Sequence, residues 1–193
     1  MRKRRRSWKK DVRILFVVAL IWLIFQVVAP SHLKLTSSKL ALSSEEQFIE
    51  KLAPQAQKLQ TKYEVRPSLM MAQAILESDW GESALAREAN NYFGIKGNTE
   101  DPIYSTQEYH EAWHEETAHF KSYADLFESM EDYAKLLYHG TTWDEQKYQR
   151  VLTAKNYQEA AQAIQAAGYA TDPHYADKLI DIIETYELTQ YDH

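Results

Sequence analysis

The sequence has 193 residues, of which 45% are hydrophobic, and a formal net charge of -6. This length suits one domain of ordinary size together with a tail. There is no cysteine, which excludes disulfide bonds and thiolate zinc sites and leaves the redox compartment open.

Positive charge is concentrated at the start of the chain. Residues 1–13 contain eight Lys or Arg and one acidic residue, Asp11, a local charge of +7, so the other residues sum to -13. An apolar run from Ile14 to Ala29 follows directly and is interrupted only by Gln26. Because basic residues before an apolar segment favour a cytoplasmic N-terminus, we expect a basic cytoplasmic tail and no binding of nucleic acid.

The apolar run predicts a transmembrane signal-anchor over residues 14–30. Sixteen helical residues span roughly 24 Å, slightly short of a hydrocarbon core of about 30 Å, and Val12 and Arg13 can extend the segment. A cleaved signal peptide is the alternative, although the residues up to Pro30 offer no clean small-x-small cleavage site. The expected location is the cell membrane, single-pass with the remainder outside, or secretion if the segment is cleaved.

Residues 31–43 have few periodic features and read as a linker, with a reach of at most about 50 Å. One folded domain is predicted from 44 to 190, and the motifs described below would make it catalytic. Ser44 and Gln47 form a capping-box pattern at the start of its first helix. Pro54 is expected to end that helix or to open a second one that runs to about Tyr63.

The stretch from Arg66 to Gly97 is the most informative part of the chain. It reads as an apolar helix with one buried face, for which Ser68 is a plausible N-cap and Gly81 ends the pattern. Glu77 lies near the end of this helix. A carboxyl group beside Leu76 and close to Trp80 would be partly desolvated, which raises its pKa and suits a general acid for glycoside cleavage; the alternative is a solvated Glu at a helix end.

The strings AQAILESDWGES and NNYFGIKG closely resemble the glucosaminidase family of bacterial cell-wall hydrolases, glycoside hydrolase family 73, which also includes flagellar peptidoglycan hydrolases. The resemblance runs from about Phe48 to about Glu187. It implies an endo-β-N-acetylglucosaminidase that cleaves the β-1,4 bond after N-acetylglucosamine in peptidoglycan strands. Glu77 would be the general acid, and no metal or other cofactor is implied.

Between Gly97 and Ala124 the periodicity becomes alternating, as in strands. Residues 103–109 and 117–123 are predicted to form a small antiparallel β-lobe around a loop, HEAWHEE. Glycoside hydrolysis usually needs a second carboxylate. By resemblance this is Glu108 on the first strand; the alternative is a solvated hairpin residue, with Glu111 and Glu100 as rivals.

Helical patterns follow at about 125–138, 144–153 and 157–167, with Gly168 as a C-cap. A last helix is expected to begin at Asp172-Pro173. A mainly α domain with a small antiparallel β-hairpin lobe is the lysozyme-like architecture, which the resemblance also implies.

Candidate substrate contacts come from the same motifs. Tyr92 lies in an aromatic-Gly turn that could stack on a sugar, and Asn91 precedes it. The segment AGYATDPHYA matches the late family motif and makes Tyr169 and Tyr175 candidates, and Asp132 also matches a family position. Packing or capping is the alternative role for each of these residues.

Three alternative functions remain open. His110-Glu111-Ala112-Trp113-His114 is a literal H-E-x-x-H, which on a helix would bind zinc in a metalloprotease, with His119 as a conceivable third ligand. The motif lies in a predicted hairpin loop, which counts against this function. A muramidase or lytic transglycosylase would share the fold and one essential Glu, and a non-catalytic wall-binding protein would bind sugar without cleaving it.

Overall fold

The computed structural model describes residues 42–193. The predicted basic tail (1–13), the signal-anchor (14–30) and nearly all of the linker (31–43) lie outside the described residues. Across 42–193, no helix combines the length and apolar character needed to cross a bilayer.

The described chain is mainly helical and contains one two-stranded antiparallel sheet, as the sequence predicts. In chain order the elements are α1 (Ser44–Tyr63), α2 (Pro67–Ser78), α3 (Ala84–Ala89), β1 (Ile103–Tyr109), β2 (Trp113–His119), α4 (Leu126–His139), α5 (Gln149–Leu152), α6 (Tyr157–Ala166), α7 (Tyr175–Thr185) and a 3₁₀ helix (Leu188–Tyr191).

Helix α2 is the centre of the fold. Ten of its twelve residues are buried, including the polar Ser68, Gln73 and Ser78. Helices α1, α6 and α7 and the 3₁₀ helix all pack against it. The sequence predicts one buried face, whereas the structure buries the helix on nearly every side because its neighbours surround it. Burial of this extent holds every side chain on the helix in a fixed position.

The start of α2 differs from the prediction. Arg66 is the N-cap and Pro67 occupies the first helical position, so Ser68 lies inside the helix. The Ser68 backbone N–H and its hydroxyl each donate to Asp192, at 2.8 Å. Asp192 lies beyond the predicted domain end at residue 190, so the last residues belong to the folded unit.

Helix α1 is continuous through Pro54, so the predicted break there is wrong. Proline removes one intrahelical hydrogen bond, but the buried neighbours Leu52, Ala53 and Ala56 hold this part of the helix against the core. The capping box uses Ser43 and Glu46, one residue before the predicted pair.

The hairpin has a shorter loop than the sequence suggests. The first strand is confirmed at Ile103–Tyr109, but the second runs from Trp113 to His119 and not over 117–123. Tyr109 pairs with Trp113, and Glu111 occupies the turn with a positive φ of 65°. The second strand is almost entirely exposed, so no buried face marks it in the sequence.

The later helices are partly as predicted. Helices α4 and α6 lie close to their expected ranges, whereas the predicted helix over 144–153 shortens to α5 because residues 145–148 form turns. Gly168, with φ of 68°, follows α6, as a helix C-terminus requires. Helix α7 begins three residues after Asp172, whose carboxylate accepts from the His174 backbone N–H.

Candidate active site

Glu77 lies in the last turn of α2, where the buried helix reaches the surface. Its side chain is only partly exposed. The Tyr175 hydroxyl on α7 donates to Glu77 Oε1 at 2.5 Å. A core helix therefore positions the carboxyl group, and a tyrosine 98 residues further along the chain orients it.

A chain of buried hydrogen bonds supports this contact. Gln73 Nε2 donates to the Tyr175 hydroxyl oxygen at 2.9 Å, and the Tyr133 hydroxyl donates to Gln73 Oε1. Because the Tyr175 hydroxyl accepts from Gln73, its own proton is directed to Glu77 Oε1. Oε2 is then the oxygen that can carry the acidic proton.

Burial raises the pKa of Glu77 to about 7. The hydrogen bond from Tyr175 opposes this increase because it stabilises the carboxylate, whereas the negative charge of Glu108 adds to it and Lys96 opposes it. At neutral pH a substantial fraction of Glu77 thus holds a proton. These surroundings give Glu77 the raised pKa that the sequence predicts for it and that a general acid requires.

Glu77 lies next to Gly94, which lines a groove of about 590 Å³ together with Lys96, Glu108 and Tyr169. Glu77 Oε2 lies 3.6 Å from the position that a Cβ atom would occupy on Gly94. Gly94 has a φ of 64°, so a side chain there would strain the backbone and would also stand over the acid. The absence of a side chain at Gly94 therefore leaves the space beside Oε2 unfilled.

Glu108 lines the same groove from β1. Lys96 Nζ lies 3.2 Å from its Oε1, and the Thr171 hydroxyl donates to its Oε2 at 2.8 Å. The same Thr171 oxygen accepts from the Tyr109 backbone N–H at 2.8 Å, so one hydroxyl fixes both the strand and its carboxylate. The rivals Glu111 and Glu100 are exposed, and neither lines the groove.

The predicted substrate residues divide into two groups. Tyr169 lines the groove, and its hydroxyl donates to the Phe93 carbonyl at 2.8 Å. Tyr175 is only 3% exposed and contacts Glu77, so the prediction of a sugar contact is replaced by an orienting role. Asn91 is fully buried, and its side-chain amide bonds the backbone of three residues, so the prediction that it binds substrate is wrong.

Two further predicted contacts lie outside the groove lining. The Tyr92 ring stacks on Phe48 of α1, with centroids 6.2 Å apart, and its contact with a sugar stays a prediction. Asp132 Oδ2 lies 2.8 Å from Lys121 Nζ and accepts from the Tyr123 hydroxyl at 2.8 Å. Since Lys121 lines the groove, Asp132 affects the groove by holding the ammonium group of that lysine.

The H-E-x-x-H motif does not have the geometry that zinc proteases need. His110 follows β1 and His114 lies on β2, so no helix places both imidazoles on one face. Their ring centroids are 6.3 Å apart, and His110 Nε2 lies 3.6 Å from Glu116 Oε1. In the part of the chain that the structure describes, no three His, Asp or Glu side chains are grouped as a metal site would require.

The sequence does not single out several side chains that line the groove, among them Lys96, Lys121, Trp143, Lys147 and Thr171. Thr171 lies within the recognised AGYATDPHYA motif but was not singled out. Trp143 and Lys147 also line the groove. They come from the loop between α4 and α5, which contains no recognised motif. Trp143 is 79% exposed. The sequence offers one signal for Trp143, because the residue follows Gly-Thr-Thr, which is typical of a turn, and does not belong to an apolar helical pattern.

Comparisons with known proteins agree with this geometry. Residues 53–188 match the family model Glucosaminidase, described as mannosyl-glycoprotein endo-β-N-acetylglucosaminidase. The exo-glucosaminidase LytG of Bacillus subtilis (strain 168) is 43% identical over 196 residues, which cover 99% of this chain and 70% of LytG. The peptidoglycan hydrolase FlgJ of Escherichia coli (strain K12) is 38% identical over 71% of this chain and 45% of FlgJ.

The fold has solved counterparts. The catalytic domain of the autolysin Auto from Listeria monocytogenes superposes with a TM-score of 0.70 at 34% identity, covering 98% of this chain and all of that domain. The glycoside hydrolase domain of Salmonella typhimurium FlgJ gives a TM-score of 0.58 in a C-terminally truncated form, at 33% identity. The mainly helical architecture with a small hairpin is therefore the lysozyme-like fold that the resemblance implies.

Proposed function

The chain belongs to the glucosaminidase family and is a glycoside hydrolase that acts on peptidoglycan, and on that premise we propose that it cleaves the β-1,4 bond after N-acetylglucosamine. Glu77 is the proposed general acid. The observation that carries this assignment is a carboxyl group with a pKa of about 7 on a buried helix, with Oε2 beside Gly94 of the groove lining.

The proposed chemistry follows from the positions of the two carboxyl groups. Protonated Glu77 Oε2 donates to the glycosidic oxygen as its bond to the anomeric carbon breaks, and positive charge then develops on the sugar ring. Glu108, held by Lys96 and Thr171, supplies negative charge at the same groove. It can stabilise that positive charge or activate the water that completes hydrolysis.

The pH dependence of the reaction tests the protonation state of Glu77. Because the acid must be protonated and its pKa is about 7, we expect kcat/KM to be level below that value. Above it, kcat/KM should decrease about tenfold for each further pH unit. A profile from pH 5 to 9 on solubilised glycan strands measures this, and an undiminished rate at pH 9 would contradict the assignment.

The decisive experiment is digestion of purified peptidoglycan by the full chain with mass analysis of the new ends. Glu77→Gln should reduce turnover by about 10²- to 10⁴-fold, because it removes the proton donor and keeps the size of the side chain. Glu50→Gln, at an exposed position of α1, is the matched control and should retain full activity.

The products distinguish the remaining functions. Reducing ends on N-acetylglucosamine support the proposal, whereas reducing ends on N-acetylmuramic acid indicate a muramidase and anhydro ends a lytic transglycosylase. Binding without cleavage indicates a wall-binding protein. The size distribution of the products tests the endo mode predicted from sequence against the exo mode named for LytG.

We also propose that residues 14–30 anchor the chain in the membrane and confine cleavage to membrane-proximal strands. The support is the basic run before the apolar segment in the sequence. The chain should stay with membranes after alkaline carbonate extraction. Release of the chain by carbonate, or an unchanged cleavage pattern in cells after replacement of 1–30 by a cleavable signal peptide, would contradict the anchor.

A further inference from the structure

A tight turn presents Trp143 to the groove. Thr141 and Asp144 close the turn through reciprocal backbone hydrogen bonds of 2.9 and 3.2 Å. Gly140 precedes the turn with a φ of 72°, and a Cβ there would lie only 2.4 Å from the Asp144 carbonyl oxygen, so this backbone requires glycine. The turn is thus closely built, and it places an indole that is 79% exposed at the edge of the groove.

Lys147 lies beside this indole. Its Nζ is 5.9 Å from the Trp143 ring centroid and 5.6 Å from that of Tyr148. Among residues 42–193, no carboxylate oxygen lies within ion-pair distance of Lys147, although Asp144 and Glu145 are close in sequence. Its positive charge is therefore available to a ligand.

The other lysines of the groove are already paired. Lys96 contacts Glu108, and Lys121 contacts Asp132. The chain after its basic tail is strongly acidic, so an anionic substrate would be repelled over most of the surface. An unpaired ammonium beside an exposed aromatic ring is the local exception.

We propose that Trp143 and Lys147 form a subsite for a peptidoglycan sugar that carries a carboxylate. The indole packs against the apolar face of the sugar ring, as flat aromatic surfaces do, and the ammonium pairs with the carboxylate. The carboxylate belongs either to the lactyl group of a peptide-free muramic acid or to the stem peptide. This inference rests on the proposed function, since it names a sugar of the proposed substrate that the groove binds.

The test measures binding in a chain that does not cleave. Full-length Glu77→Gln is titrated calorimetrically with three defined ligands: glycan oligomers with stem peptides, the same oligomers with the peptides removed, and chitin oligomers, which lack carboxylates. Trp143→Ala and Lys147→Met are compared in this background. Phe127→Ala and Lys155→Met, an exposed aromatic residue and an exposed lysine outside the groove, are the matched controls.

Trp143→Ala should weaken binding of all three ligands about tenfold, because all three present a sugar ring. Lys147→Met should weaken binding about threefold for the ligands with a carboxylate and leave chitin oligomers unchanged. Weakening with the peptide-free glycan alone identifies the lactyl group, and weakening with the peptide-bearing glycan alone identifies the stem peptide. Weakening with both shows that the subsite accepts either carboxylate.

Wild-type affinity in Trp143→Ala, or an equal effect of Lys147→Met on chitin oligomers, would overturn the subsite. Either result is separable from a failure of the proposed function, which would appear as intact peptidoglycan after incubation with the wild-type chain. The two controls should bind all three ligands as the parent does.

Discussion

The two carboxyl groups of the groove come from regions of very different construction. Glu77 lies on α2, which is buried on nearly every side, and its carboxyl group is the end of a hydrogen-bond chain through Tyr175, Gln73 and Tyr133. Glu108 lies on a two-stranded hairpin with no fully buried residue, held at the groove by Lys96 and Thr171.

The difference separates two physical requirements. Burial is what raises the pKa of the acid, so Glu77 must belong to the core. A carboxylate that carries charge needs polar partners and some solvent, which an exposed hairpin supplies. An isolated hairpin of two strands is marginally stable, so the position of Glu108 depends on its few contacts with the helical domain. The comparison gives four predictions.

The largest expected difference is in local stability. Amide hydrogens of α2 should exchange only through global unfolding, which for a domain of this size requires about 5–15 kcal/mol. Those of the hairpin should exchange through local opening at a free energy several kcal/mol lower. Hydrogen exchange followed by NMR or mass spectrometry measures both, and equal protection of the two regions would remove the basis of the comparison.

The second prediction concerns the loss of stability that the folded protein undergoes when Glu77 ionises. Folding raises the pKa of Glu77 from 4.5 to about 7. The contribution of Glu77 to the free energy of unfolding is therefore most favourable below pH 4.5 and is lost as the pH rises through 7. The free energy of unfolding of Glu77→Gln should therefore equal that of the wild type at pH 4 and exceed it by about 3 kcal/mol at pH 8. Denaturant unfolding at both pH values measures this, and Glu108→Gln should show no comparable gain.

The third prediction breaks the hydrogen-bond chain at its far end. Tyr133→Phe leaves Gln73 Oε1 without its donor inside the core, which should lower the free energy of unfolding by about 1–2 kcal/mol. Tyr138→Phe is the control, because Tyr138 is exposed on the same helix and should tolerate the change. Similar unfolding midpoints for the two variants would show that this hydrogen-bond chain does not stabilise the core.

The smallest effect on stability is expected at Thr171, which is exposed. Thr171→Val should change the free energy of unfolding by less than about 0.5 kcal/mol. It should nevertheless reduce kcat/KM about tenfold, because Glu108 and the Tyr109 N–H lose their shared partner. Thr171→Ser keeps the hydroxyl and should restore the rate, and wild-type activity in Thr171→Val would show that the hairpin needs no such tether.

The same division explains what the sequence could predict. The helix that carries Glu77 and the strand that carries Glu108 were both found, because each has a periodicity imposed by its surroundings. The second strand was misplaced because it is exposed along most of its length and pairs through backbone hydrogen bonds that any residue can make. Hydrophobic periodicity contains no information about such a strand.

The roles of Asn91 and Tyr175 were misassigned for another reason. Both belong to motifs that indicate a site, but their partners are set by tertiary structure: Asn91 bonds the backbone of its own turn and of Lys121, and Tyr175 bonds Glu77. A motif identifies residues that a site requires without separating those that contact the ligand from those that support them. Trp143 was overlooked because a single exposed residue in a loop creates no pattern.

The bond between Asp192 and the first turn of α2 has a consequence for the order of events during synthesis. Asp192, which accepts from the first turn of α2, follows Ser68 by 124 positions, and Tyr175, which orients the carboxyl group, follows Glu77 by 98. A ribosome must therefore synthesise the chain at least as far as Asp192 before all of these contacts can form. Nascent chains that lack residues 175–192 should therefore have no hydrolytic activity.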